Sequence, residues 1–237
     1  MDFQALSTAY TGEAAAGYDA RRAPTTKWLT EDETVRELLR VLPAGASVLD
    51  VPVGTGRFLE LYQERGFKVA GRDISPDMLS AARHKLSELD GLDCSLELAD
   101  IRNIPGTDDQ YDCVLSIRFL NWVDAGGLEE ALRELRRVSK RYLIVSIRHN
   151  VPTRDLLLHG PNGLRRFVLR YLLGFRRLLK DLRRFGKPKA PRTNQHEKEV
   201  VLQTFSRLRL NIDSMQLVEH GRDGTDFYLY RLTKEAS

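Results

Sequence analysis

Val48-Leu-Asp-Val-Pro-Val-Gly-Thr-Gly-Arg57 sets a short apolar run against a loop with two glycines and a helix-like continuation. Glycine at positions 54 and 56 lets the backbone approach a ligand closely, and strand–loop–helix junctions of this kind are where open α/β sheets bind nucleotides. Two glycines alone do not separate a ligand loop from an ordinary turn. The flanking acids do more. Asp73 closes the next strand-like run about twenty residues on, where a carboxylate can accept from ribose hydroxyls. Asp100 closes the third run, so Asp50, Asp73 and Asp100 each end a predicted strand on one carboxyl edge of a sheet.

Outward from that loop, residues 31–147 alternate between strand and helix periods. Thr30 with Glu33 reads as a capping box opening a helix to Leu42. Strands are predicted over 47–51, 68–73, 95–100, 111–117 and 141–147. Helices are predicted over 56–65 and 127–139, and from Ser75-Pro76, an N-cap followed by proline at the first helical position, to Leu89. This alternation specifies a parallel sheet covered by helices on both faces. After Ile147 the rhythm breaks. Residues 150–195 hold Pro152, Gly160-Pro-Asn-Gly163, a long basic stretch and Lys187-Pro-Lys-Ala-Pro-Arg192. A helix over 197–209 and two strands, 214–219 and 226–232, around a turn at 221–224 then form an antiparallel hairpin. The chain is therefore read as one domain, 1–237. Within it lie an amino-terminal lid and first helix (1–45), a core (46–149), a basic helical insertion acting as a substrate cap (150–195), and a carboxy-terminal helix with a strand hairpin (196–237).

Of the 237 residues, 42% are hydrophobic and 30% charged, ordinary values for a soluble globular protein. The first twenty residues carry acids and no apolar block, unlike a secretory signal. No window approaches the roughly 20 apolar residues of a spanning helix. Two cysteines, Cys94 and Cys113, fit a reduced, cytoplasmic setting. The net charge of +4 is uneven: residues 164–187 hold nine Lys/Arg and one Asp, a local +8, which leaves −4 for the rest.

A dinucleotide loop would place a third small residue three after Gly56, but Leu59 stands there. Asp50 at the loop entrance is also a poor neighbour for a pyrophosphate. It suits a cation, and S-adenosyl-L-methionine carries an ammonium and a sulfonium. The loop, the phrase Val69-Ala-Gly-Arg-Asp-Ile-Ser-Pro-Asp-Met-Leu79, Leu98-Ala-Asp-Ile101 and Tyr111-Asp-Cys-Val-Leu-Ser-Ile-Arg-Phe-Leu-Asn-Trp-Val123 together resemble the class I S-adenosylmethionine-dependent methyltransferase family, particularly its type 11 group. The resemblance covers about residues 10–149 and resumes over 197–232. It implies a Rossmann-like three-layer α/β sandwich. The sheet would be mostly parallel and seven-stranded, with an antiparallel carboxy-terminal strand and a helical insertion after strand five.

Carried onto this sequence, the resemblance implies that Asp50, Gly54 and Gly56 line the methionine end of the cofactor. Asp73 binds the ribose, Ile74 and Met78 pack on the adenine, and Asp100 accepts from the adenine amino group with Ile101 beside it. Ser116 faces the ligand from the fourth strand. Pro52 departs from the family pattern, which has a glycine there; proline fixes φ and supplies no N–H. Tyr10, Tyr18, Arg21, Arg22 and Trp28 form an aromatic and basic cluster where similar enzymes have a lid. Tyr18 and Arg22 are the cofactor candidates within it, an arginine meeting the cofactor carboxylate. A helix packed on the sheet with solvated arginines is the competing reading.

Methyl transfer from a sulfonium is an in-line displacement, accelerated mainly by alignment and exclusion of water. A general base is needed only if the acceptor must lose a proton. The carboxyl ends of strands four and five offer Arg118, Asn121, Trp122, Arg148 and His149. His149 is the leading base candidate and Arg118 its companion, each weighed against a packing role. No Cys/His spacing suggests a metal.

Projected at about 100° per residue, 164–185 divides into an apolar side (Leu164, Val168, Tyr171, Leu172, Phe175 and their successors) and a basic side. Leu169 and Leu173 are exceptions on the basic side, and Gly174 is a candidate bend. Three readings are open: a cap with its apolar face on the core and arginines in water, an interfacial helix on anionic lipid at the inner membrane face, or a nucleic-acid contact. The expected activity is methyl transfer to a small-molecule or lipid-linked acceptor. An RNA methyltransferase and a non-catalytic cofactor-binding protein are the alternatives.

Overall fold

The computed structural model describes residues 25–158, 160–183, 193–221 and 223–235. Chain order is α1 (Thr26–Leu38), a 3-10 turn (Leu39–Val41), β1 (Ser47–Asp50), α2 (Leu59–Glu64), β2 (Lys68–Asp73), α3 (Pro76–Ser87), β3 (Cys94–Leu98) and β4 (Tyr111–Ser116). A 3-10 turn (Leu120–Trp122), α4 (Ala125–Val138), β5 (Ser139–Asn150), α5 (Thr153–Leu158), α6 (Gly160–Arg183), α7 (Lys198–Arg207), β6 (Leu210–His220) and β7 (Thr225–Lys234) follow.

The seven strands lie in one sheet of order β3-β2-β1-β4-β5-β7-β6. The first five pair in parallel; β7 runs antiparallel to β5, and β6 antiparallel to β7. Parallel strands covered on both faces must be apolar throughout, and β1 buries Val48 and Leu49 on opposite faces accordingly. On one side Leu128, Leu132 and Leu135 of α4 and Val201 and Phe205 of α7 pack with Val114, Val145 and Tyr230. On the other, Val35 and Leu38 of α1 and Leu59 and Tyr62 of α2 pack with Val48, Leu115, Ile144 and Phe227. The result is the three-layer sandwich expected. Strand order reverses between β1 and β4, and a reversal opens a crevice at the carboxyl ends of those two strands.

The local capping signals hold at α3 and not at α1. Ser75 caps α3 as expected, its hydroxyl accepting from Met78 N at 3.3 Å, with Pro76 in the first turn. The capping box at Thr30 is corrected. The extended residue before α1 is Thr25, whose hydroxyl accepts from Trp28 N at 3.3 Å; Thr30 is inside the helix and donates to Thr26 O at 3.0 Å. β5 also continues past its predicted end, because β7 pairs with it as far as Asn150 opposite Thr225. Tertiary pairing thus holds polar Arg148, His149 and Asn150 in a strand that their own propensity would not extend.

The segment after β5 leaves and returns at one place. Asn150 N donates to His196 O at 3.2 Å, and His196 N donates to Arg148 O at 3.0 Å. In between, α6 is a single helix through Gly174, and its polarity reverses the cap expectation. Leu164, Val168, Tyr171, Leu172 and Phe175 are 46–59% exposed. The side turned to the core carries Arg166 and Arg170 beside half-buried Phe167, Leu169 and Leu173. Arg166 Nη2 donates to Asp226 at 2.5 Å and to Thr225 O at 3.0 Å, and its Nε to Gly221 O at 3.2 Å. Arg170 donates to Val151 O at 2.6 Å and to Gly224 O. The physical reason is the β6–β7 turn, whose carbonyls and Asp226 form an acceptor cluster that a guanidinium fork matches and an aliphatic side chain cannot.

Candidate active site

Residues from the ends of β1, β2 and β4 and from α1 enclose a cleft of about 850 Å³, its open mouth included. Its lining includes Asp50, Pro52, Val53, Gly54, Asp73, Ile74, Met78, Ile117, Arg118, Phe119, Trp122, Trp28 and Arg57. A smaller recess of about 300 Å³ continues from it between Pro52, Asp73, Ile74, Ala99, Asp100, Ile101 and Phe119.

The loop at the centre is held by backbone hydrogen bonds from Val51 N to Leu115 O (3.0 Å) and from Val53 N to Arg72 O (2.8 Å). The Val51–Pro52 peptide is cis, and Pro52 lines both parts of the cleft. Gly54 has φ +58°, and a Cβ there would meet no protein atom within 4 Å. It is the glycine that opens the cleft. Gly56, at φ +74°, plays a different part: a Cβ there would come within 2.5 Å of the Leu59 side chain and 3.3 Å of Ala82. It lets the loop pack on α2 and α3, and it is not among the residues lining the cleft.

Asp50 is buried, and Tyr62 donates to it at 2.9 Å. Burial pushes its carboxyl up to about 7, with Asp73 adding repulsion and the Tyr62 bond and Arg57 opposing. Asp73 accepts from Gly54 N at 2.9 Å and Ser75 N at 2.8 Å. Burial raises it too, against the backbone N–H groups that favour its charge. Asp100 sits in the recess, its carboxylate gripped by Arg102 Nε and Nη2 at 2.6–3.1 Å. Burial raises its pKa, but the hydrogen bonds from Arg102 outweigh that and leave it lowered. Ile74 and Met78 line the cleft, Ile101 the recess.

Ser116 is fully buried with no hydrogen-bond partner for its Oγ, and it is absent from the cleft lining. The residues presented there from the end of β4 are Ile117, Arg118 and Phe119. Tyr18 and Arg22 lie outside the described residues. Among the described residues no group of three or more His, Cys, Asp or Glu could hold a metal ion.

His149 lies in the core rather than the cleft. Its Nδ1 is 3.2 Å from His196 O and its Nε2 2.8 Å from Tyr230 Oη. A carbonyl can only accept, so Nδ1 carries the proton and Nε2 accepts from the tyrosine. Burial lowers its pKa to about 4, keeping it neutral. Both nitrogens are thus engaged, as the packing alternative requires. Arg118 does reach the cleft, at φ +62°. Its Nε and Nη2 hold Glu31 at 2.6–3.1 Å, and its N–H donates to Ser146 Oγ at 2.6 Å.

Glu31 and Arg57 were missed. Glu31 is fully buried on the apolar face of α1 and binds both Arg57 (2.6 Å) and Arg118. The Arg57 guanidinium stacks 3.4 Å from the Trp28 ring centroid and donates to Trp28 O at 2.9 Å. An acid in the apolar stripe Trp28, Glu31, Val35, Leu38 was the signal that could have found them, since a buried carboxylate needs a cationic partner.

Residues 48–141 match the family model described as a methyltransferase domain. The malonyl-[acyl-carrier protein] O-methyltransferase of Serratia marcescens is 33% identical over 138 residues, 58% of this chain and 49% of that protein. The phosphatidylethanolamine N-methyltransferase of Cereibacter sphaeroides is 31% identical over 143 residues, 60% of this chain and 66% of that protein. The chain spans about half the length of the malonyl-[acyl-carrier protein] relatives it matches. Among solved structures, the magnesium protoporphyrin IX methyltransferase of Synechocystis PCC 6803 with bound SAH superposes with a TM-score of 0.72. Identity is 14%, with 99% of this chain and 100% of that one covered, so the likeness is one of fold.

Proposed function

Since the chain belongs to the class I S-adenosylmethionine-dependent methyltransferase family, we propose that it transfers a methyl group from S-adenosylmethionine to a small-molecule or lipid-linked acceptor. The observation that carries this is the pairing of Asp50 and Asp73 around the open face of Gly54, inside a largely apolar cleft. That donor set fits a nucleoside with a cationic tail. The carboxylates accept hydroxyls and favour positive charge, while Ile74, Met78, Phe119 and Ile101 offer flat apolar walls.

In this reading Asp73 holds the ribose, Ile74 and Met78 pack on one face of the adenine, and Asp100 and Ile101 close the recess. Asp50 faces the cationic end with Gly54. The bound cofactor supplies an activated methyl group on a sulfonium. The chain's own work is then to orient the acceptor and keep water out. Trp28, Phe119 and Trp122 are suited to the second task, and Arg118, braced by Glu31, to the first. Among the described residues of the cleft none is assigned as a general base, and an acceptor that keeps or loses its proton without one needs none.

Residues 150–195, between the core segments 46–149 and 196–237, are proposed to select the acceptor. No described helix is long and apolar enough to cross a membrane. We place the enzyme in the cytoplasm, with peripheral access to the inner membrane face.

Calorimetric titration with S-adenosylmethionine tests the proposal. One site is expected, weakened at least about tenfold in Asp73→Asn, which removes the charge and replaces one of the two oxygens that accept from Gly54 N and Ser75 N by a donor. No binding by the folded wild type overturns it. Incorporation of labelled methyl into a cell extract, fractionated into lipid, nucleic acid, protein and small molecules, then identifies the acceptor; label confined to RNA would favour the nucleic-acid alternative.

A further inference from the structure

Among the described residues none from α6 lines the cleft. Leu164, Val168, Tyr171, Leu172 and Phe175 recur at helical spacing on one face, and each is roughly half exposed. Soluble surfaces carry scattered apolar residues but seldom a continuous stripe of five large ones. Exposed Arg165 and Arg176 flank the stripe. The segment from 164 to 187 carries +8 in a chain of net +4.

We propose that α6 is a membrane-docking helix, lying in the plane of an anionic bilayer with this stripe among the acyl chains and exposed Arg165 and Arg176 at the headgroups. Three observations select this occupant. First, the core-facing side of the helix is already satisfied: Arg166 and Arg170 are spent on Asp226 and the carbonyls of Val151, Gly221, Gly224 and Thr225. The helix is thus anchored with its apolar stripe turned outward. Second, a second copy of the chain would bring two +8 segments together along the stripe, whereas phosphate headgroups neutralise them. Third, a nucleic acid would use the charge but leave five apolar side chains in water, and only a lipid surface uses both.

The anchoring also sets an orientation. Thr225 lies opposite Asn150 at the carboxyl end of β5, the same edge of the sheet from which the cleft opens. A docked α6 brings that edge toward the lipid. The inference does not rest on methyl transfer, because a chain that bound no cofactor could still dock.

Vesicle flotation of the full chain tests it. Binding is expected to phosphatidylcholine vesicles containing about 30% phosphatidylglycerol, at least about tenfold above binding to phosphatidylcholine alone, and to weaken steeply with salt. Leu172→Glu with Phe175→Glu should abolish flotation without lowering Tm, since both side chains are exposed. Arg165→Glu with Arg176→Glu should reduce flotation to anionic vesicles and leave any binding to neutral vesicles unchanged. Equal flotation of the wild type and the Leu172/Phe175 variant overturns the proposal. So does no flotation of the wild type, whether accompanied by RNA binding that the apolar variant retains or by a dimer in sedimentation that it dissolves.

Discussion

Burial raises the Asp50 carboxyl to about 7 despite the Tyr62 hydroxyl beside it, and a cationic ligand would favour its ionised form. Cofactor affinity should therefore rise with pH until Asp50 is charged in the free protein and level off above about pH 7, with proton release on binding below it. Titrations in buffers of differing ionisation enthalpy measure that proton. Asp50→Asn should bind more weakly and release none; the same release from the variant would refute the linkage. The His149 pKa is shifted the other way, although its effect also fades toward acid. Its folded pKa, about 4, lies below the ordinary imidazole value of 6.5, so the unfolded chain binds the extra proton first. The stability it contributes is complete above about pH 6.5 and is lost as pH falls toward 4. Urea denaturation across that range should show a shallower acid decline in His149→Gln than in the wild type. At neutral pH the variant should lose about 1–3 kcal/mol, the cost of disturbing the buried bond to Tyr230. The neutrality of His149 could not be read from its position after a predicted strand. Proximity to the sheet edge suggested a base, but which neighbours saturate its two nitrogens is decided by β7 and residue 196, far along the chain.

In α1, the buried carboxylate of Glu31 stands between Arg57 and Arg118 and joins the first helix to both the glycine loop and the β4 exit. Glu31→Ala leaves two guanidinium groups without their shared anion. A loss of about 2–3 kcal/mol is expected by denaturant titration, below the cost for a fully dry pair because both arginines keep some water contact. Cofactor affinity should fall with it, since Arg57 also carries the Trp28 ring that lines the cleft. Elements were legible where their signals are local. Apolar β1, Gly54 and Gly56, and Ser75-Pro76 punctuate the chain within a few residues, and three acids at strand ends located the cleft. The orientation of α6 was not legible. A helical projection separates two faces but says nothing of which one the neighbours can satisfy. Here the decisive partners were carbonyls of a distant turn, Gly221 and Gly224, which favoured Arg166 and Arg170 over the leucines.

The whole molecule combines a cofactor-binding sheet with a long excursion that departs from and rejoins it at the Asn150–His196 pair. Replacing residues 153–192 by a short glycine-rich linker should preserve calorimetric cofactor binding while removing vesicle flotation. Loss of cofactor binding in a folded replacement would show that the excursion is part of the nucleoside site. The stitch also has a bearing on the entropy of the unfolded chain. Closing a loop of 46 residues rather than about five costs about 2 kcal/mol more, by the logarithmic dependence of closure on length. The intact domain recovers part of that through the two arginine anchors of α6. Whatever the excursion does for the protein, it is carried at a cost that grows only slowly with its length, so a junction of this kind can accept cassettes of very different size without unfolding the sheet that holds them.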